Sequence, residues 1–136
     1  QIIDAGSSGS RMHVYQWEPR MVAAQSPFTR FSATMTFSSP CSVLDPPSPP
    51  CGLPQMKKDI AEALSPLVDF AKDILKDYEE DWERFPIYLK ATAGVRQLPY
   101  GDREALLSAV RDFLGNPETC PFYFQFDHAR VISGEE

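Results

Sequence analysis

The sequence has 136 residues, 43% of them hydrophobic, which predicts one globular domain with its own core rather than a disordered chain. The net charge of −6 argues against nucleic acid as a partner, because a phosphate backbone requires basic surfaces. No apolar run approaches the roughly 18 residues that a membrane span needs.

Both ends of the sequence suggest a piece of a longer protein. The chain starts with Gln1, and Ile2 and Ile3 resemble the end of a strand that begins earlier. It stops at Glu136 without a polar tail. We therefore expect one incomplete domain over residues 1–136, and the absence of a signal peptide or membrane anchor from this chain decides nothing about the longer protein.

The first third of the chain alternates as strands do. Residues 2–4 predict a strand end, residues 5–10 a turn of small residues, and residues 11–17 a second strand, which together form a β-hairpin. In the second strand Met12 and Val14 are expected to face the same way. Apolar residues at every second position predict a third strand over residues 31–37.

A loop rich in proline follows, at residues 39–54, and Cys41 and Cys51 bracket most of it. A disulfide between these two cysteines would close a short ring and indicate an oxidising compartment, which the sequence leaves open. Cys120 would then be free or paired with a cysteine outside this chain.

The rest of the chain alternates helices and strands. Residues 55–84 carry apolar side chains at helical spacing, and Pro66 is expected to break or bend this helix. The apolar residues predicted to form its buried stripe are Ile60, Leu64, Leu67, Val68, Ala71, Ile74, Leu75 and Tyr78. We predict a strand over 87–91, a turn over 92–94, a helix over 102–114 capped by Asp102, and strands over 122–126 and 129–133. This order predicts an α/β fold with a partly parallel sheet.

The small-residue turn between the first two strands predicts a phosphate site. Gly6 and Gly9 let the backbone approach a ligand closely, and N–H groups with serine hydroxyls can surround a phosphate. Asp4, at the end of a strand, is placed to hold a hydrated divalent cation. Spacing alone leaves open that Gly-Ser-Ser-Gly-Ser is a flexible linker.

Two later turns have the same character. Lys-Ala-Thr-Ala-Gly-Val-Arg at residues 90–96 follows a strand, where ligands bind in open α/β sheets, although it could be an ordinary connection. Ile-Ser-Gly-Glu-Glu at residues 132–136 follows another strand, and a glutamate there could act as general base or be solvated surface. The two histidines, His13 and His128, are expected to be structural because neither has a partner motif.

Taken in order, the three turns resemble the apyrase (nucleoside triphosphate diphosphohydrolase) family. Residues 4–15, Asp-Ala-Gly-Ser-Ser-Gly-Ser-Arg-Met-His-Val-Tyr, resemble its first conserved region, and residues 91–96, Ala-Thr-Ala-Gly-Val-Arg, its second. Residues 132–136 resemble the start of the third. Residues 14–17, Val-Tyr-Gln-Trp, which overlap the end of the first region, are most similar to the Golgi, lysosomal or guanosine-diphosphatase-like branch.

The resemblance implies the actin-like ATPase fold, in which two RNase H-like domains enclose a nucleotide. This chain would be most of the first domain, an α/β unit with a mixed sheet and flanking helices. The family hydrolyses nucleoside tri- and diphosphates to the monophosphate by direct attack of water, with Mg²⁺ or Ca²⁺. Asp4 would hold the cation through water, and Thr92 would place the terminal phosphate or the water. The residues implied to bind phosphate are Gly6, Ser7, Ser8, Gly9 and Ser10, with Arg11 adding charge and Arg96 bracing the second turn.

Two positions depart from the family pattern. Lys90 stands where relatives often have a small or apolar residue, and the resemblance gives it no role. The family's general base is a glutamate directly before a glycine, so the base would be Glu136 or the next residue.

The implied partners are a nucleoside di- or triphosphate and the second domain of the same protein, with no nucleic acid. A membrane anchor is possible in the full-length protein but not in this chain, which alone should be inactive because half a cleft cannot hold water, cation and phosphate together. The expected compartment is the secretory pathway, such as the Golgi or lysosomal lumen, or the extracellular space. The alternatives are a sugar kinase or exopolyphosphatase of the same superfold, or a nucleotide-binding pseudoenzyme.

Overall fold

The computed structural model of the chain describes residues 1–6, 9–17, 29–37 and 53–132. Three antiparallel strands come first, and helices then alternate with short strands. The strands are β1 (Ile2–Gly6), β2 (Gly9–Trp17), β3 (Thr29–Phe37), β4 (Tyr88–Ala91) and β5 (Ala129–Val131). The α-helices are α1 (Leu53–Ile74), α2 (Ala93–Arg96) and α3 (Tyr100–Leu114), and the 3-10 helices are Lys76–Arg84 and Phe126–His128.

The five described strands form one mixed sheet in the order β3-β2-β1-β4-β5. β2 is antiparallel to both of its neighbours, whereas β4 runs parallel to β1 and β5 runs parallel to β4. The predicted α/β fold, with a mixed sheet and flanking helices, is confirmed. This order places β1 in the centre, so its end lies between the hairpin turn and the end of β4.

The core lies between one face of the sheet and helices α1 and α3. Ile3, Met12 and Leu89 occupy one row across three strands, and each is at most 3% exposed. The helices cover this row with apolar side chains that are also buried, namely Leu64, Leu67, Val68, Ala71, Val110, Phe113 and Leu114. Because side chains alternate along a strand, Asp4 and its neighbours in register face away from this core.

Pro66 lies inside α1, so of the two expected outcomes a break into two helices is wrong, whereas a bend in the helix stays a prediction. A proline within a helix costs about 3 kcal/mol. Leu64 precedes it and Leu67 and Val68 follow it, all at most 2% exposed, and each such side chain contributes about 1.5–3 kcal/mol on burial. Packing on both sides of the proline therefore outweighs its cost.

The predicted stripe of α1 fails at its end, where the helical geometry changes. α1 stops at Ile74, and the chain continues as a 3-10 helix in which Tyr78 has non-helical backbone angles. Ile74 is 40% exposed and Tyr78 52% exposed, whereas both were expected in the core. The altered twist after α1 turns Tyr78 away from the core. Among the acidic side chains of this segment, those of Asp77, Glu79, Glu80 and Glu83 are exposed.

The start of α3 also differs from the prediction. The helix begins at Tyr100 rather than after Asp102, and its cap position is Pro99. The backbone carbonyl of Pro99 accepts the first helical bond, from Arg103 N at 3.0 Å, and Asp102 lies within the first turn. A proline before a helix has a fixed φ that suits this boundary.

Residues 122–126, all described, do not form the predicted strand. Tyr123 makes one isolated bridge to Pro86, and its carbonyl oxygen accepts a bond of 3.0 Å from Ile87 N. The next bond of a parallel ladder would end on the carbonyl oxygen of Ile87. His128 occupies that oxygen instead, since its Nδ1 donates to it at 3.1 Å, and the chain turns into a 3-10 helix.

Cys120 is a free thiol packed in the core, 2% exposed, and burial raises its pKa. Cys41 and Cys51 lie outside the described residues, so the disulfide between them stays a prediction. Among the described segments, no helix is both long and apolar enough to cross a bilayer.

Candidate active site

The predicted hairpin turn closes at Gly6, which pairs with Gly9 across β1 and β2. Gly9 has φ of 134°, a region that side-chain-bearing residues rarely adopt, and no other described residue has a positive φ. The turn therefore depends on glycine at this position. Ser7 and Ser8 lie outside the described residues, so their contacts with phosphate stay predictions.

The second turn lies beside the first. Thr92, directly after β4, donates from its backbone N to the carbonyl oxygen of Ala5 at 3.1 Å, and its hydroxyl lies 3.4 Å from the same oxygen. A Cβ placed on Gly6 would lie 3.3 Å from Gly9 O and 4.0 Å from the Thr92 hydroxyl. Glycine at position 6 thus leaves space between two turns that are far apart in the sequence.

The segment after Thr92 is helical rather than an open turn. α2 spans Ala93–Arg96, and Thr92 occupies its cap position without a side-chain bond to the helix. The Thr92 hydroxyl donates instead to the carbonyl oxygen of Ala5, and this bond holds the half-buried Thr92 side chain at the edge of the sheet. Arg96 is exposed, and its predicted role in bracing the turn stays a prediction.

The third predicted turn begins at the same edge of the sheet. Val131 pairs with Ala91, and Ile132 N donates to the carbonyl oxygen of Ala91 at 2.9 Å. The chain therefore leaves β5 next to Thr92. Residues 133–136 lie outside the described part of the chain, so the assignment of Glu136 as general base stays a prediction.

Asp4 lies on the face of the sheet opposite the core, in register with Arg11 on β2 and Lys90 on β4. Residues directly opposite each other have Cβ atoms about 5 Å apart, so the basic side chains of Arg11 and Lys90 lie on either side of the Asp4 carboxylate. Ser10 pairs with Ala5, and Ala5 packs against the core. The Ser10 side chain therefore lies on the core face of the sheet, opposite to Asp4. The structure thus groups Arg11, but not the Ser10 side chain, with Asp4.

The side chains at this edge suit a divalent cation that keeps its bound waters, rather than one that is coordinated by protein groups alone. Among the described residues, no group of three or more His, Cys, Asp or Glu side chains could hold a metal ion. A single half-buried carboxylate, that of Asp4, suits an ion such as Mg²⁺, which usually keeps several waters and binds through one or two carboxylates plus substrate phosphates.

The described histidines have structural surroundings. His128 is buried against the rings of Tyr88, Tyr123 and Phe124, with its Nδ1 bonded to the backbone. His13 stacks on Tyr15 at 6.1 Å between ring centroids.

The carbonyl oxygen of Ala5 is a site atom that the sequence analysis did not identify. It joins the two turns through Thr92. A backbone acceptor of this kind cannot be predicted from a pattern of side chains. The only available signal was indirect, since the carboxyl ends of neighbouring parallel strands meet at one edge of a sheet.

Known nucleoside phosphatases resemble this chain in sequence. Residues 1–136 match the GDA1/CD39 (nucleoside phosphatase) family over their whole length. The chain is 31% identical to the Golgi apyrase of Saccharomyces cerevisiae, covering 98% of this chain and 22% of that protein. It is 35% identical to ectonucleoside triphosphate diphosphohydrolase 5 of Mus musculus, covering 98% of this chain and 28% of that protein.

A solved structure extends the comparison to the fold. The structure of a nucleoside triphosphate hydrolase from Neospora caninum superposes with a TM-score of 0.73, at 23% identity, covering 98% of this chain and 28% of that one. At this identity the likeness establishes the fold alone. The chain spans about a quarter of the length of these relatives. From the match over all of its residues, the chain belongs to the GDA1/CD39 family of nucleoside phosphatases.

Proposed function

We propose that the full-length protein hydrolyses nucleoside tri- and diphosphates to the monophosphate, by direct attack of water and with Mg²⁺ or Ca²⁺. The observation that carries the proposal is the bond between Thr92 and Ala5, which brings the two glycine-containing turns to one edge of the sheet. Family membership supports a nucleoside phosphate as the substrate.

The hairpin turn is proposed to bind the phosphate chain. Backbone N–H groups and serine hydroxyls would donate to the phosphate oxygens, as such turns do. The residues in this role are Gly6, Ser7, Ser8, Gly9 and Ser10. Arg11, on the same face as Asp4, would add a positive charge beside them.

Asp4 is proposed to hold the divalent cation through water. The cation, when bound, would neutralise phosphate charge and so favour attack by an anionic or polarised oxygen. The Thr92 hydroxyl, at the edge where the turns meet, would orient the terminal phosphate or the attacking water.

In the proposed reaction the water oxygen bonds to the terminal phosphorus while the bond from phosphorus to the bridging oxygen breaks. A carboxylate after β5 accepts the proton from water, and the shorter nucleotide leaves with the bridging oxygen. Either Glu136 or the residue after it would be this base, because Ile132 brings the chain to the end of β4.

We further propose that the full-length protein acts in the secretory pathway or outside the cell, with a second domain completing the cleft. The yeast relative is named a Golgi apyrase and the mouse relative an ectonucleoside triphosphate diphosphohydrolase, which supports this compartment.

Phosphate release from the full-length protein tests the proposal. Nucleoside di- and triphosphates with Mg²⁺ or Ca²⁺ should yield inorganic phosphate and the monophosphate, and a chelator should stop the reaction. Absence of release from every nucleoside di- and triphosphate would contradict it. Transfer of phosphate to an added sugar rather than to water would favour a kinase, and nucleotide binding without turnover a pseudoenzyme.

Thr92→Val should distinguish the contribution of the Thr92 hydroxyl from that of its backbone bond to Ala5. The variant keeps the branched shape and the bond from its backbone N to Ala5, so the free energy of unfolding should change by less than about 1 kcal/mol. Loss of the positioning hydroxyl should lower kcat/KM by about 10- to 100-fold. Thr92→Ser, which restores the hydroxyl, should recover most of the activity. Equal rates for the wild type and the valine variant would exclude the hydroxyl from the reaction.

A further inference from the structure

Four charged residues form one lateral row across the sheet, on the face opposite the core. Arg11 pairs with Asp4, Asp4 with Lys90, and Lys90 with Arg130, each on the next strand. Strands are about 4.8 Å apart, so Arg11 and Lys90 are nearest neighbours of Asp4 and Arg130 is one strand farther away.

Within the described part of the chain, the charges in this row make the immediate surroundings of Asp4 positive, although the chain is acidic overall. One carboxylate lies among three basic side chains, whereas the net charge of the chain is −6. A cation approaching Asp4 is therefore repelled by its immediate neighbours. An anion, or a cation already carried by phosphate groups, is not penalised in the same way.

Lys90 is the member of the row nearest to the second turn, two residues before Thr92. Its Nζ lies 5.3 Å from the centroid of the Tyr88 ring, on the same face of the sheet. Its flexible four-carbon stem allows the ammonium to move between this ring and the space above Asp4. The backbone position of Lys90 is fixed by β4, so its charge stays within reach of Asp4.

We propose that Lys90 determines whether the site binds its divalent cation as the free ion or as the complex with the nucleotide. Its charge weakens the binding of a free cation at Asp4 and strengthens the binding of the nucleotide phosphate chain, so the cation enters together with the nucleotide. Lys90 is thus a specificity-determining residue for the cation–nucleotide complex. This inference rests on the proposed function, because it takes Asp4 as the cation site and a nucleotide phosphate as the ligand.

The test measures binding of free Mn²⁺ to the full-length protein by electron paramagnetic resonance, without nucleotide. Lys90→Met should bind Mn²⁺ about three- to tenfold more tightly than the wild type, as expected when one charge near a divalent ion is removed from a solvated site. Its KM for the nucleotide should rise by a similar factor, with a smaller change in kcat.

Two variants provide the controls. Arg130→Met removes the same charge one strand farther from Asp4, so its effect on Mn²⁺ affinity should be clearly smaller than that of Lys90→Met. Lys90→Arg keeps the charge and should bind Mn²⁺ as the wild type does. Circular dichroism checks that each variant is folded, and Lys90→Gln replaces the methionine variant if that one is not.

The outcomes separate this inference from the proposed function. If the wild type releases phosphate but Lys90→Met binds Mn²⁺ with the same affinity as the wild type, the role of Lys90 is overturned and the enzyme assignment stays in place. Tighter Mn²⁺ binding by Lys90→Met without phosphate release by the wild type would support the role of Lys90 and contradict the hydrolase. Equal effects of Lys90→Met and Arg130→Met would also overturn the inference.

Discussion

Replacing Asp4 with asparagine should lower the kcat/KM of the full-length protein for nucleoside diphosphates by roughly a thousandfold, the upper range for losing one preorganised electrostatic group. Asparagine has nearly the same shape as aspartate but lacks the charge that would hold a hydrated cation. The loss should persist at saturating Mg²⁺, because the proposed role of this carboxylate is to position the cation as well as to bind it. Steady-state phosphate release measures the effect.

The fold should tolerate this substitution. Asp4 points away from the core, whereas its neighbour Ile3 is fully buried, so the melting temperature should stay within a few degrees of the wild type. Asp73→Asn, at an exposed position of α1, removes the same charge elsewhere and should leave the rate unchanged. Activity of Asp4→Asn within tenfold of the wild type would show that this carboxylate does not hold the cation.

Local patterns in the sequence were sufficient for the elements that build the site. Alternating apolar residues located the hairpin of β1 and β2, and Met12 and Val14 are buried on one face as predicted. The turn of small residues between the strands was also found, because glycine at a hairpin end reflects a backbone requirement that a single residue type meets. These features depend on contacts between residues close in the sequence.

Features set by distant contacts could not be predicted in the same way. The isolated bridge of Tyr123 stops where the side chain of His128 takes the carbonyl oxygen of Ile87, and no local pattern contains that competition. Likewise, the sequence identified Asp4 and Lys90 within separate motifs. Only the parallel pairing of β1 with β4 makes them neighbours, which is why Lys90 was left without a role.

Replacing Gly9 with alanine should damage both the fold and the site. Gly9 has φ of 134°, and holding a residue with a side chain in such a region costs about 1–3 kcal/mol. The hairpin turn would relax toward a different geometry, which would displace the N–H groups that are proposed to bind the phosphate. We expect a lower free energy of unfolding by that amount and a fall in kcat/KM of about a hundredfold.

Two further variants decide whether the backbone angle is the cause. Gly101→Ala, in α3, adds a methyl group with no atom within 4 Å and should be neutral or stabilising by up to about 1 kcal/mol. Gly9→Asn should not rescue the turn, because asparagine tolerates left-handed φ near about 57° but not 134°. If asparagine restored stability and activity, the turn would instead adopt the ordinary left-handed conformation, and its N–H groups would point elsewhere than proposed. Failure of both Gly9 variants with a normal Gly101→Ala protein would assign the loss to the backbone of this turn.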